Sequence, residues 1–154
     1  MTTIAAVLPA SSVIAQLPLL LPITLSTAVF GAMFQLWLTA LVTAHRLRTN
    51  ISLLDGGDAL LTQRIRAHAN FTETVPMALL LMLLLELARW DSALLAGCAV
   101  LLMVGRWLHA FGILKPAARK ARKARKARQV GMVCTLTSIL LMALGGAWIV
   151  IAER

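Results

Sequence analysis

Arg66-Ala67-His68-Ala69-Asn70-Phe71-Thr72-Glu73-Thr74-Val75-Pro76 carries ionised groups straight into an apolar run, and its reading decides the fold. From Val75 to Leu85 every residue except Pro76 is Val, Ala, Leu or Met. Glu73 therefore sits at or inside a membrane boundary, where a charge is costly to keep and marks a functional site by default. At about 100° per residue Arg66, Asn70 and Glu73 share one helical face, while Arg64 and His68 point nearly the opposite way. That face offers a cation, an amide and a carboxylate along roughly 10 Å of helix.

The rest of the composition agrees with a membrane setting. Of 154 residues 60% are apolar and only 14% charged, with no tyrosine, and the mean hydropathy is +0.84. This is the signature of a small polytopic membrane protein, an all-α helical bundle, read here as a single transmembrane domain over 1–154. No Lys, Arg, Asp or Glu precedes Arg46, so the N-terminal apolar stretch lacks the positive region of a secretory signal and reads as a retained first helix. Cys98 and Cys134 have neither Cys-x-x-Cys nor zinc spacing and read as packed or lipid-facing thiols. The net charge of +9 resides in connections between spans rather than on a surface with interleaved aromatics, which argues against nucleic acid.

Four stretches are long enough to cross a bilayer, each needing about 20 mostly apolar residues. They run over about 21–44, 71–88, 92–114 and 129–152, in up-down order, the first preceded by an apolar lead with Pro9, Pro18 and Pro22. Pro76 predicts a kink in the second. Gly145-Gly146 in the fourth allows close helix approach. The first connection carries Arg46, Arg48, Arg64 and Arg66 against Asp55 and Asp58, and Asp55-Gly56-Gly57-Asp58 reads as a turn rather than a calcium loop. The second holds only Glu86, Arg89 and Asp91. The third is a period-three Ala-Arg-Lys repeat that ends at Arg128 and has no acid. The positive-inside rule puts both basic loops in the cytoplasm and both termini on the far side, in the inner membrane if the source is bacterial. The repeat favours helix and can extend the fourth span. Arg119–Arg128 reads as a topology lock and an anchor to anionic headgroups.

The third span contains Arg106 and His109, three apart and so on one face. With Glu73 on the second helix, Arg128 opening the fourth and Arg46 closing the first, all four helices bring polar residues to one layer. Arg106 and Glu73 at matched depth are expected to pair. One carboxylate cannot neutralise Arg66, Arg106 and Arg128 together, so the layer stays cationic and should want an anion. The same cations disfavour a metal.

At these residues the chain resembles the MAPEG family, the membrane-associated proteins of eicosanoid and glutathione metabolism. The likeness rests on Arg66-Ala67-His68 with Asn70, Glu73 and Pro76, then Gly105-Arg106 with His109, then Arg128. The resemblance implies a four-helix protomer in a homotrimer, with glutathione between neighbouring subunits. By position Arg66, Asn70 and Glu73 would hold its charged and amide groups, Arg106 would pair with Glu73 and shape the pocket, His109 would line it, and Arg46 would reach toward the ligand. Arg128 resembles the arginine that faces the thiol. The implied activity is a glutathione transferase, with peroxidase activity as a possible second, acting on lipophilic electrophiles. The alternative is a non-enzymatic scaffold or a sensor of glutathione or lipid peroxides. The chain departs from the prostaglandin-E synthase branch at Ala69, at Ile113 and Met132 where that branch has tyrosines, and at Gln129 where it has serine. Thiol activation must therefore rely on Arg128 or another donor.

Overall fold

The computed structural model of the chain describes residues 21–115 and 117–152; the apolar lead with Pro9 and Pro18 lies outside them. Four helices follow in order: α1 Pro22–Thr49, α2 Ala59–Leu87, α3 Ser92–Leu114 and α4 Ala117–Ala152. Each contains a segment long and apolar enough to cross a membrane, and the architecture is an all-α, up-down membrane bundle.

Three helices outrun their apolar segments. α1 continues through His45, Arg46 and Arg48 and stops at Asn50, whose left-handed backbone (φ 54°, ψ 34°) returns its N–H to the Arg46 carbonyl. α2 begins twelve residues before the span expected from position 71, because Asp58 caps it by accepting the Leu61 N–H at 2.8 Å. This early start puts residues 62–70 on regular helix. α4 takes in the Ala-Arg-Lys repeat without interruption, as its helix-favouring composition predicts. Asp55–Asp58 forms the turn expected, with Gly56 and Gly57 at positive φ.

At the opposite end Glu86, read in the sequence only as a connection charge, closes the start of α1. Its two carboxylate oxygens accept the N–H groups of Ile23 at 2.8 Å and Thr24 at 2.7 Å. Leu21, in the N-cap position, offers no side chain for this. Pro22 has no N–H, so a carboxylate borrowed from α2 satisfies two of the three orphan donors that remain and complements the positive helix end.

The most extensive contact is between α3 and α4. It depends on Gly105 and Gly131: a Cβ on Gly131 would lie 2.5 Å from the Gly105 carbonyl oxygen and 2.5 Å from the His109 backbone nitrogen. Of the expected Gly145-Gly146 pair, only Gly145 is tight, and its neighbour is the Trp90 ring. Two apolar clusters fill the bundle. One joins Ala78, Met82, Leu95, Leu102 and Met142. The other joins Phe34, Leu38, Ala67, Phe71 and Ala110. Phe34 stacks on Trp107 with centroids 4.9 Å apart and meets Phe71 edge-on at 5.4 Å, tying α1 to both α2 and α3.

Candidate functional site

A cavity of about 400 Å³ opens at the basic end of the bundle between α2, α3 and α4. Arg66 and Asn70 enter it from α2, His109 from α3, and Arg128 from the early turns of α4. Four of the seven residues singled out in the sequence therefore converge there. The volume suits a small polar ligand. A larger cavity of about 750 Å³ lies between α1 and α3, lined by Phe30, Val100, Met103, Trp107 and others with no ionisable group among them. Helical phase puts those α3 residues roughly opposite His109 and Gly112, so the apolar groove and the polar cavity occupy different faces of α3.

Backbone proximity builds the α3–α4 wall. A Cβ on Gly112 would lie 2.7 Å from both the Ala124 carbonyl oxygen and the Arg128 nitrogen, so only glycine lets α4 start this close to α3. One turn away, His109 Nδ1 is 3.1 Å from the Arg128 carbonyl oxygen. A carbonyl can only accept, so Nδ1 carries the proton and Nε2 is left as the free ring position. His109 is buried, while the Arg128 side chain is exposed at the rim.

Arg106 lies one helical turn deeper and is 2% exposed. Its Nε donates to Thr135 Oγ1 at 2.8 Å, and one terminal nitrogen donates to the Asn70 carbonyl at 3.2 Å and, weakly, toward Thr74 Oγ1 at 3.5 Å. The other terminal nitrogen is buried with no partner. The expected pair with Glu73 is not made within the protomer: among the described residues the only ion pair is His45–Asp58. The reason is helical phase. Thr74 is turned toward α3 and α4, whereas Glu73, about 100° away, is exposed on the outer face.

Arg46 also stays out of the cavity. It is half-buried at the end of α1, and its guanidinium donates to the Ile51 carbonyl at 3.3 Å. Beside it His45 and Asp58 meet at 2.9 Å. The hydrogen bond from His45 and the Leu61 N–H hold the Asp58 carboxyl below its ordinary range. The Thr62 hydroxyl and the Gly57 N–H do the same for Asp55. These contacts fix the start of α2, from which Thr62 and Gln63 also line the cavity. Both were missed in the sequence, although Thr62 continues the Arg66–Asn70 stripe by one i−4 step. Gly112, the other lining residue without a sequence signal, contributes by having no side chain.

Comparison with known proteins completes the description. The model of the MAPEG family matches residues 24–148. The inner membrane protein YecN of Escherichia coli K12 is 29% identical over 121 residues, covering 79% of this chain and 87% of its own length. YecN of Escherichia coli O6:H1 matches to the same extent. No solved structure gives a significant match.

Proposed function

The chain belongs to the MAPEG family, and from that premise we propose that it is a membrane-embedded, glutathione-dependent transferase, with peroxidase activity as a second capacity, acting on lipophilic electrophiles. The observation that carries this reading is the convergence of Arg66, Asn70, His109 and Arg128 on one cavity at the bundle's basic end. Glutathione presents two carboxylates, an ammonium, amides and a thiol. Two guanidiniums, an amide and a free imidazole nitrogen match that inventory.

The protomer alone leaves the site unfinished, which supports the homo-oligomer, a trimer by family. On α2 the packed residues Ala67, Phe71, Val75, Ala78 and Met82 lie roughly 130° from the Arg66–Asn70–Glu73 stripe. A stripe with two charged members facing outward at a membrane edge needs a polar cover, and a neighbouring copy supplies one. In this arrangement Glu73 and Arg46 act at the junction between subunits, Glu73 toward the ligand's ammonium and Arg46 toward a carboxylate. Arg106, buried one helical turn beyond the cavity without an acid, biases the site toward anions.

In the reaction Arg128 is the catalytic residue. A free thiol has a pKa near about 8.5 and is mostly protonated at neutral pH. A guanidinium facing the sulfur favours the thiolate. The thiolate then forms a carbon–sulfur bond with the electrophile, which releases its leaving group or takes up a proton. The basic loops at this end support a glutathione site on the cytoplasmic side, with both termini opposite, by the positive-inside rule. The likeness to an inner membrane protein of Escherichia coli supports the inner membrane as the location.

A non-enzymatic scaffold or sensor is the competing reading, favoured by the absence of tyrosine and by relatives named for location alone. Calorimetric titration of glutathione into the detergent-purified protein, with Arg66→Ala alongside, tests the glutathione site. Saturable binding lost in the variant supports the site, and an electrophile screen then separates enzyme from sensor. A folded wild type that binds no glutathione removes the enzyme reading and leaves the scaffold.

A further inference from the structure

The first turns of α4 divide their cations between two directions. Taking Arg122 as the origin and about 100° per residue, Arg125, Arg122, Lys126 and Lys123 fill an arc of roughly 160°. Ala124 lies opposite the middle of that arc. The structure agrees with this division: the four cations are exposed, and Ala124 is buried at 7%. Ala124 is the residue whose carbonyl rests on Gly112. Arg128 falls about 40° from Ala124 by the same count, and it enters the cavity. One cation of this segment therefore serves the pocket, and four face away from the described helices. Arg119 and Lys120, which extend the repeat, lie outside the described side chains.

Among the described residues nothing neutralises this arc. No Asp or Glu occurs between Lys115 and Ala152, and among the described residues the single ion pair is elsewhere. Its depth is defined by the helix. A long uncharged stretch begins at Val130, so Lys126 to Arg122 start about 6–12 Å outside it at about 1.5 Å per residue, and their long side chains can bend back toward the membrane. The headgroup layer on each side of a bilayer is about 5–8 Å thick. The arc has no aromatic side chain on which a base would stack, and no apolar anchor of the kind a protein partner uses.

We propose that the arc formed by Arg122, Lys123, Arg125 and Lys126 is a docking surface for anionic phospholipid headgroups. Charge complementarity and depth select that occupant. Docked headgroups hold the start of α4 against Gly112, and with it the backbone that carries Arg128. The inference is independent of the glutathione reading, since it needs no ligand in the cavity.

The test reconstitutes the full chain in phosphatidylcholine vesicles carrying a trace of spin-labelled phosphatidylglycerol or spin-labelled phosphatidylcholine. The motionally restricted fraction should be several-fold larger for phosphatidylglycerol. It should fall to the phosphatidylcholine level in 1 M NaCl, where the Debye length is about 3 Å, and in the variant Arg122→Gln/Lys123→Gln/Arg125→Gln/Lys126→Gln. Amide exchange of the wild type provides a readout that needs no variant: residues 122–128 should exchange several-fold more slowly when phosphatidylglycerol is present. Equal restriction of the two lipids by the wild type overturns the proposal, as does an excess that survives both salt and the substitutions. Tight binding of an RNA oligonucleotide without any lipid preference would reassign the arc and overturn it as well.

Discussion

His109 Nδ1 lies 3.1 Å from the carbonyl oxygen of Arg128. The contact joins the inner half of α3 to the turn of α4 that carries the guanidinium, so the two residues are registered through backbone rather than through their side-chain charges. The arrangement leaves the Arg128 side chain exposed at the rim and free to follow a ligand, while its Cα is fixed.

That division predicts different losses at the two cavity arginines. Arg128→Ala should lower turnover with a lipophilic electrophile by about 100-fold or more, the scale of removing one electrostatic stabiliser, with glutathione affinity changed less than about tenfold. Arg66→Ala should weaken affinity and turnover together, because its interaction is made in ground and transition states alike. Calorimetry beside steady-state kinetics reads both. Equal losses of affinity alone in the two variants would sink the thiolate role of Arg128.

Gly131→Ala is expected to be severe for so small a change. Its Cβ would meet the Gly105 carbonyl oxygen and the His109 nitrogen at 2.5 Å, backbone atoms that cannot rotate away. Forced separation of α3 and α4 should cost about 1–3 kcal/mol and should also displace Arg128, since the same crossing sets the Gly112 contact. Gly146→Ala, whose Cβ would find only Leu85 at 3.9 Å, is the control and should be near neutral. Unfolding in detergent, followed with a glutathione titration, distinguishes the two.

Hydropathy and loop charge made the four spans legible, because crossing a bilayer imposes length and composition directly on the sequence. Arg128 was picked out by its place at the start of the fourth span, and Arg66, Asn70 and His109 by helical phase. It failed where the deciding quantity was which neighbour a face meets. Arg106 and Glu73 match in depth, yet Thr135 and the Asn70 carbonyl, not Glu73, receive the guanidinium. Gly105, Gly112 and Gly131 act through missing side chains, and their effect appears only once two helices cross. Glu86 was unreadable as a cap because its target is 62 and 63 residues away.

The Glu86 cap should be separable from the site. Glu86→Ala removes the acceptor for two backbone N–H groups at the start of α1, where no local side chain replaces it. A loss of about 1–2 kcal/mol is expected from cap deletions of this type. It should be accompanied by faster amide exchange at Ile23 and Thr24, with glutathione binding unchanged. Binding that fell in proportion to stability would show that the two ends of the bundle are coupled.

The unpaired state of Arg106 leads to the last prediction. With Glu73 exposed and out of ion-pair contact, Glu73→Gln should change stability by no more than about 0.5 kcal/mol, as for a surface substitution. Thr135→Val is different. It deletes the hydroxyl that accepts from Arg106 Nε at 2.8 Å, and a guanidinium that already has one orphaned nitrogen gains a second. Leaving a buried donor unsatisfied costs about 1–3 kcal/mol, more when the group is charged. Thr135→Val should therefore unfold well before Glu73→Gln in a denaturant series, while Glu73→Gln should be the one that weakens glutathione binding. If Glu73→Gln proved the more destabilising of the two, its carboxylate would have to reach Arg106 in the assembled protein, and the cation one turn beyond the cavity would already be neutralised before ligand arrives.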